Sequence, residues 1–189
     1  GPCRRVAGSC PLPPEKNISH PVTRRTERQQ TRGEEIANAI SHGVGFVAAA
    51  IAVPILIWTA VDRSDAAGLV SVSVFGGATL LLYLTSTLYH ALPRSRAKRV
   101  LQIMDHAAIF LMIAGTYTPF TLITLRGGWG WTIFGLVWGL GLIGIAFELI
   151  FHDRFQKLSM LFYLLLGWLI VIAARPLIQA LPPGAVALI

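Results

Sequence analysis

The sequence predicts an all-α fold, a polytopic bundle of membrane-spanning helices, and three observations predict it. Of the 189 residues, 54% are hydrophobic and 13% are charged, where an ordinary soluble domain carries about 25% charge. Residues 1–35 hold 11 of the 25 charged side chains, which leaves 14 for the other 154 residues. Those 154 residues fall into apolar runs, each near the roughly 20 residues that cross a bilayer as a helix. So little charge cannot cover the surface of a soluble domain. A soluble enzyme and a disordered chain are both excluded.

Taken in order, residues 1–33 form a polar tail with Pro and Arg and no helical period, read as disordered or non-native. The chain starts Gly1-Pro2 rather than with Met, and no signal peptide precedes the first apolar run. Cys3 and Cys10 lie in this tail and offer no metal spacing. Residues 34–189 form the membrane domain. Its apolar runs cover 43–61, 68–90, 104–125, 129–151 and 158–174. A sixth begins near 183, after Pro182-Pro183-Gly184, and the chain stops inside it at Ile189. About five complete spans and the start of a sixth are therefore expected, in a chain cut short at its C-terminal side.

Within the runs, Pro54 and Pro119 each remove a backbone donor and predict kinks in the first and third spans. Thr116, Thr118 and Thr121 are placed to satisfy carbonyls around Pro119. Gly135, Gly139, Gly141 and Gly144 give the fourth span a stripe of small residues suited to close helix packing.

The loops set the orientation. Seven Lys/Arg precede the first span; Arg94, Arg96, Lys98 and Arg99 follow the second without an acid; Arg154 and Lys157 follow the fourth. The loop at 62–67 has Arg63 against Asp62 and Asp65, and the loop at 126–128 has Arg126 alone. High and low counts alternate, which places the N-terminus in the cytoplasm. This distribution also explains the net charge of +7 without a nucleic-acid partner. The loop Arg94–Arg99 is additionally suited to anionic lipid headgroups.

With that topology, the polar residues of the spans share one layer. Glu35, Asn38 and His42 start the first span; Ser86 and His90 end the second; Gln102, Asp105 and His106 start the third; Glu148 and His152 end the fourth. All fall at the cytoplasmic face. Ser86 and His90 are four residues apart, about 40° around a helix, and share a face. Asp105 and His106 are about 100° apart, so only one of them points straight into a common site. Ionisable residues at membrane depth usually face the bundle interior and mark function, although each alone also fits an interfacial, capping or packing role. Glu148 is equally placed to pair with an Arg or Lys. The chemistry such a layer supports is metal-assisted hydrolysis: an imidazole ligand, with a carboxylate and a hydroxyl to manage a water. A catalytic zinc needs about three protein ligands, and spacing offers one strong candidate, His90.

The runs EEIANAISHGVG (34–45), STLYH (86–90) and MDHAAIFLMIAGTYTPF (104–120) closely resemble the bacterial hemolysin III family, grouped with the progestin and adipoQ receptors. The resemblance covers roughly 34–189 and implies a seven-helix bundle with a cytoplasmic N-terminus in the inner membrane. It further implies a Zn²⁺ site of the kind found in membrane hydrolases such as alkaline ceramidases. Carried over, His90 resembles the zinc ligand, Ser86 the hydroxyl that holds the water or the developing oxyanion, and Asp105 the carboxylate that polarises the water. The family's C-terminal His-x3-His pair has no counterpart in this chain. Three functions follow as expectations: a zinc-dependent hydrolase of lipid amide or ester bonds; a cytolytic or channel-forming hemolysin; or a non-catalytic sensor of membrane state. The expected partners are membrane lipids, one of them as substrate, with no nucleic acid. The sequence leaves the oligomeric state open.

Overall fold

Capping residues decide where the helices begin. In the computed structural model, residues 30–151 and 156–180 are described. The chain divides into two units, residues 1–30 and 31–189, and every helix below belongs to the second. The expected tail lies, up to residue 29, outside the described residues. Helix α1 (Arg32–Arg63) opens on a capping box: the Glu34 N–H donates to Thr31 Oγ1, and the Glu34 carboxylate accepts from the Thr31 N–H at 2.7 Å. Helix α2 (Ala66–Ala91) is capped by Asp65, and α3 (Arg96–Pro119) by Ser95. Helix α4 runs Gly127–Phe151. The loops between these helices are short, and α1 packs on α2, α2 on α3, and α3 on α4.

These four helices are long and apolar enough to cross a membrane. Their outer faces carry large apolar side chains; Trp58 and Ile150 are 74% and 70% exposed. A surface like that is stable against lipid and not against water. The core is thin and built from small residues, with Phe110, Ile133 and Val137 the largest apolar side chains sealed inside it. Polar side chains in the spans turn onto their own helix: Ser71, Ser73, Thr79 and Thr85 each donate to the carbonyl four residues back.

The two prolines behave differently. Helix α1 continues through Pro54. At Pro119 the α-helical ladder gives way to a π-helical turn, Phe120–Thr124, closed by the Leu125 N–H donating to the Phe120 carbonyl at 2.8 Å. Thr116, Thr118 and Thr121 donate to the carbonyls of Ile113, Ala114, Tyr117 and Thr118; none of these is the Gly115 carbonyl, the one that Pro119 deprives of its donor, so the role expected of them is corrected to capping neighbouring carbonyls. Arg126, which leads into α4, donates to Asp65 at 2.8 Å and ties this end to the α1–α2 loop. The Gly68 amide, with Arg126 beside it, holds the Asp65 carboxyl below its usual range.

Two expectations need correcting. The fifth run is not one straight span over 158–174. It is α5 (Gln156–Trp168), a 3-10 turn (Leu169–Val171) and α6 (Ala174–Ala180), bent by 48°. Tyr117 of α3 bridges the break: its hydroxyl accepts from the Ile170 N–H at 2.7 Å and lies within donating distance of the Leu166 and Gly167 carbonyls. A break at membrane depth needs such a partner, because lipid offers none. The described residues thus hold four spans, or five if the bent pair is one, and the run beyond 183 lies outside them. The second correction concerns the glycine stripe. A Cβ on Gly144 would meet the Phe110 ring at 2.3 Å, and Gly141 abuts Ala114, but Gly135 and Gly139 have nothing within 4 Å. The tightest approach is at Gly130, where a Cβ would lie 2.2 Å from the Thr121 carbonyl oxygen. Backbone cannot swing aside as a side chain can.

Gly130→Ala should therefore destabilise the bundle by about 1–3 kcal/mol, whereas Gly135→Ala should be neutral or slightly stabilising; denaturant unfolding in detergent compares them. Tyr117→Phe should cost about 1–3 kcal/mol through the unpaired backbone groups it leaves at the helix break, and it should speed hydrogen exchange at Ile170.

Candidate functional site

The polar residues gather at the end of the bundle where α1 and α3 begin and α2 and α4 end. Their first group joins α1, α2 and α3. The Glu35 carboxylate accepts from Lys98 Nζ on one oxygen and sits against His90 Nδ1 on the other, each at 2.8 Å. Lys98 also donates to the Leu92 carbonyl at 3.1 Å and stands 5.0 Å above the Tyr89 ring. About two turns further into α1, His42 Nδ1 shares a short hydrogen bond with Ser86 Oγ. The His42 and His90 rings are 5.8 Å apart, edge on. Ser86 and Asp105 are both buried, at 3% and 8% exposure. The Asp105 carboxyl lies close to Ser86, with His106, His90 and His42 around it.

A second group joins α3, α4 and α5. His106 Nδ1 meets Glu148 Oε1 at 2.9 Å, and Ser159 donates to the other Glu148 oxygen at 2.6 Å. Tyr163 donates to the His106 carbonyl at 3.0 Å. Glu148 is 1% exposed, so its carboxyl oxygens depend on protein groups for their partners. Asp105 and His106 are consecutive, and the roughly 100° between them sends one carboxyl towards Ser86 and one imidazole towards Glu148.

The structure thus brings together Ser86, His90, Asp105, Glu35 and His42 on one side, and His106 with Glu148 on the other. Asn38 contributes its carbonyl to the Ser41 hydroxyl, and His152 lies outside the described residues. Sequence reasoning missed two participants. Ser159 had a signal: it is a lone hydroxyl near the start of the fifth apolar run, at the depth of the others. Lys98 had none, because a loop lysine reads as topology. Its side chain is 14% exposed and turned onto Glu35, so it is not offered to lipid headgroups as the basic-loop reading expected.

Chemically, the first group holds a hydroxyl between an imidazole and a carboxyl, in low-dielectric surroundings, with a second imidazole fixed beside it. Such a hydroxyl can act as a nucleophile or as a donor to a developing oxyanion. A zinc ion is a different matter. Among the described residues, no set of three or more His, Cys, Asp and Glu side chains could hold a metal ion. His90 has one ring nitrogen committed to Glu35, which leaves one donor on that residue. The described residues do not by themselves fit a zinc centre.

The family model described as "Haemolysin-III related" matches residues 30–188. The chain belongs to the haemolysin-III related family. Among its relatives, "Hemolysin-3" of Bacillus cereus is 46% identical over 156 residues, 82% of this chain and 71% of that protein. "Hemolysin-3 homolog" of Bacillus subtilis (strain 168) is 47% identical over 148 residues, 78% and 70% of the two chains. No solved structure matches. With its apolar helices, this haemolysin-III related chain is a multi-pass membrane protein.

Replacing Glu148 by Ala should remove the buried acceptor of Ser159 and the Nδ1 partner of His106 and cost about 3–5 kcal/mol. Ser159→Ala should cost about 1.5–3 kcal/mol, the worth of a hydrogen bond to a charged group, against less than about 0.5 kcal/mol for the exposed Ser73→Ala. Unfolding midpoints in detergent order the three.

Proposed function

We propose that this chain is a membrane-perturbing protein of the hemolysin type, resident as a multi-pass protein in a bacterial inner membrane with its N-terminus in the cytoplasm. The observation that carries this reading is the identity of 46% and 47% with two proteins named for hemolysis, across about four fifths of the chain. The physical basis lies in the polar end. Ionisable groups at membrane depth draw water and headgroups towards themselves and thin the bilayer locally. Here Glu35 and His106, 23% and 29% exposed, leave part of the paired cluster open at one end of the bundle, while the apolar core around Phe110, Ile133 and Val137 closes the interior beyond them. That arrangement favours disturbance of one leaflet over a conducting pore through a single chain.

A second reading is favoured by the Ser86 hydroxyl, bound to His42 and close to the Asp105 carboxyl: a hydrolase of lipid amide or ester bonds, akin to the progestin and adipoQ receptor group and the ceramidases. In it Ser86 stabilises the oxyanion, Asp105 polarises the attacking water, and His90 is a zinc ligand. Its remaining zinc ligands would have to come from outside the described residues, so no reaction step is drawn through the metal. A non-catalytic membrane sensor would use the same residues without turnover.

One experiment separates these readings. The purified full chain is reconstituted into liposomes of bacterial lipid, and dye release, fatty-acid release and bound zinc are measured on the same samples. Perturbation predicts dose-dependent dye release without fatty acid, unchanged in Ser86→Ala. Hydrolysis predicts fatty-acid release that falls by about 10²–10³-fold in Ser86→Ala, the usual cost of an oxyanion donor, with zinc lost in His90→Ala. A chain that releases neither dye nor fatty acid overturns both.

A further inference from the structure

We infer that Glu35 is a positioning residue for His90: its carboxylate fixes the imidazole as the Nδ1–H tautomer, so that Nε2 is the ring's acceptor nitrogen. The assignment follows from the contacts. Lys98 Nζ lies 2.8 Å from Glu35 Oε1, and a carboxylate so paired is ionised and can only accept. The proton in the 2.8 Å contact between Glu35 Oε2 and His90 Nδ1 therefore belongs to the imidazole. A neutral imidazole has one donor, which leaves the lone pair on Nε2. Carboxylates commonly set a functional histidine in this way, fixing both its tautomer and its ring orientation.

This is not a loose surface pair of the kind worth little. The side chains of His90, Glu35 and Lys98 are 8%, 23% and 14% exposed. They come from three helices, α2, α1 and α3, and Lys98 is itself pinned by the Leu92 carbonyl and the Tyr89 ring. The Tyr89 ring also lies 4.6 Å from that of His90. The ring is thus held at one nitrogen and on one side, while a second imidazole, His42, stands edge on to it. The presented Nε2 lone pair serves proton transfer and ligation equally. The inference rests on the polar end being the functional centre, but its test reads a nitrogen rather than an activity.

The test is ¹⁵N NMR of the histidine-labelled full chain in lipid nanodiscs at neutral pH, with the His90 signals assigned from His90→Gln. In the unmodified protein, Nδ1 should resonate as a protonated nitrogen and Nε2 as a lone-pair nitrogen. Glu35→Gln has one oxygen, which Lys98 takes, and turns its amide N–H towards His90 Nδ1, so it should shift the ring towards the Nε2–H tautomer. Glu35→Leu should exchange the two or populate both. If Glu35→Leu does not fold, the near-isosteric Glu35→Gln carries the test, because its shift of tautomer is read without loss of side-chain bulk. A His90 protonated on Nε2 in the unmodified protein, or a tautomer indifferent to both Glu35→Leu and Glu35→Gln, overturns the inference. Either result leaves the liposome assays standing, just as silent liposome assays leave these spectra standing.

Discussion

Inside a bilayer, a polar group has no water to turn to, and every buried donor and acceptor must find its partner in the protein. The organisation of this chain follows from that constraint. Serines and threonines in the spans bond back to their own helices. Where the helical ladder fails, the repair is specific. After Pro119 the chain takes up a π-helical turn bordered by bonded threonines, and at the break after Trp168 the Tyr117 hydroxyl reaches across from α3.

The same constraint shapes the functional end. Its ionisable groups are never left singly. Glu35 is shared between Lys98 and His90, and Glu148 between His106 and Ser159. The two groups are joined covalently through Asp105 and His106, so α3 is the element on which both are built. A shift of α3 moves both together. It also carries the close packing: Phe110 fills the space over Gly144, and Ala78 approaches Gly115. The helix that organises the chemistry is thus also the best-buried of the four spans, at 39% of its apolar window.

Hemolysin-type perturbation and lipid hydrolysis draw on these residues differently. The first depends on charge at depth and is indifferent to a single hydroxyl. The second depends on Ser86 and on the nitrogen that His90 presents. Glu35 and Lys98 matter to the geometry under either reading, because they hold α1, α2 and α3 at a common point.

The sequence by itself determined the helices and their depth. Hydrophobic length is local information, and so is the alignment of Glu35, His42, Ser86, His90, Asp105 and Glu148 in one layer. The divergence of Asp105 from His106 was legible too, because it follows from helical pitch. What only the tertiary structure decided is which side chains meet. That Lys98 folds inward onto Glu35, that Glu148 binds Ser159, that Gly130 rather than Gly135 is the point of close approach, and that the fifth run breaks at Tyr117 all depend on how helices rotate against one another. Helix rotation is set by packing between distant segments, and an apolar stretch with lipid on most sides carries little periodic signal to reveal it.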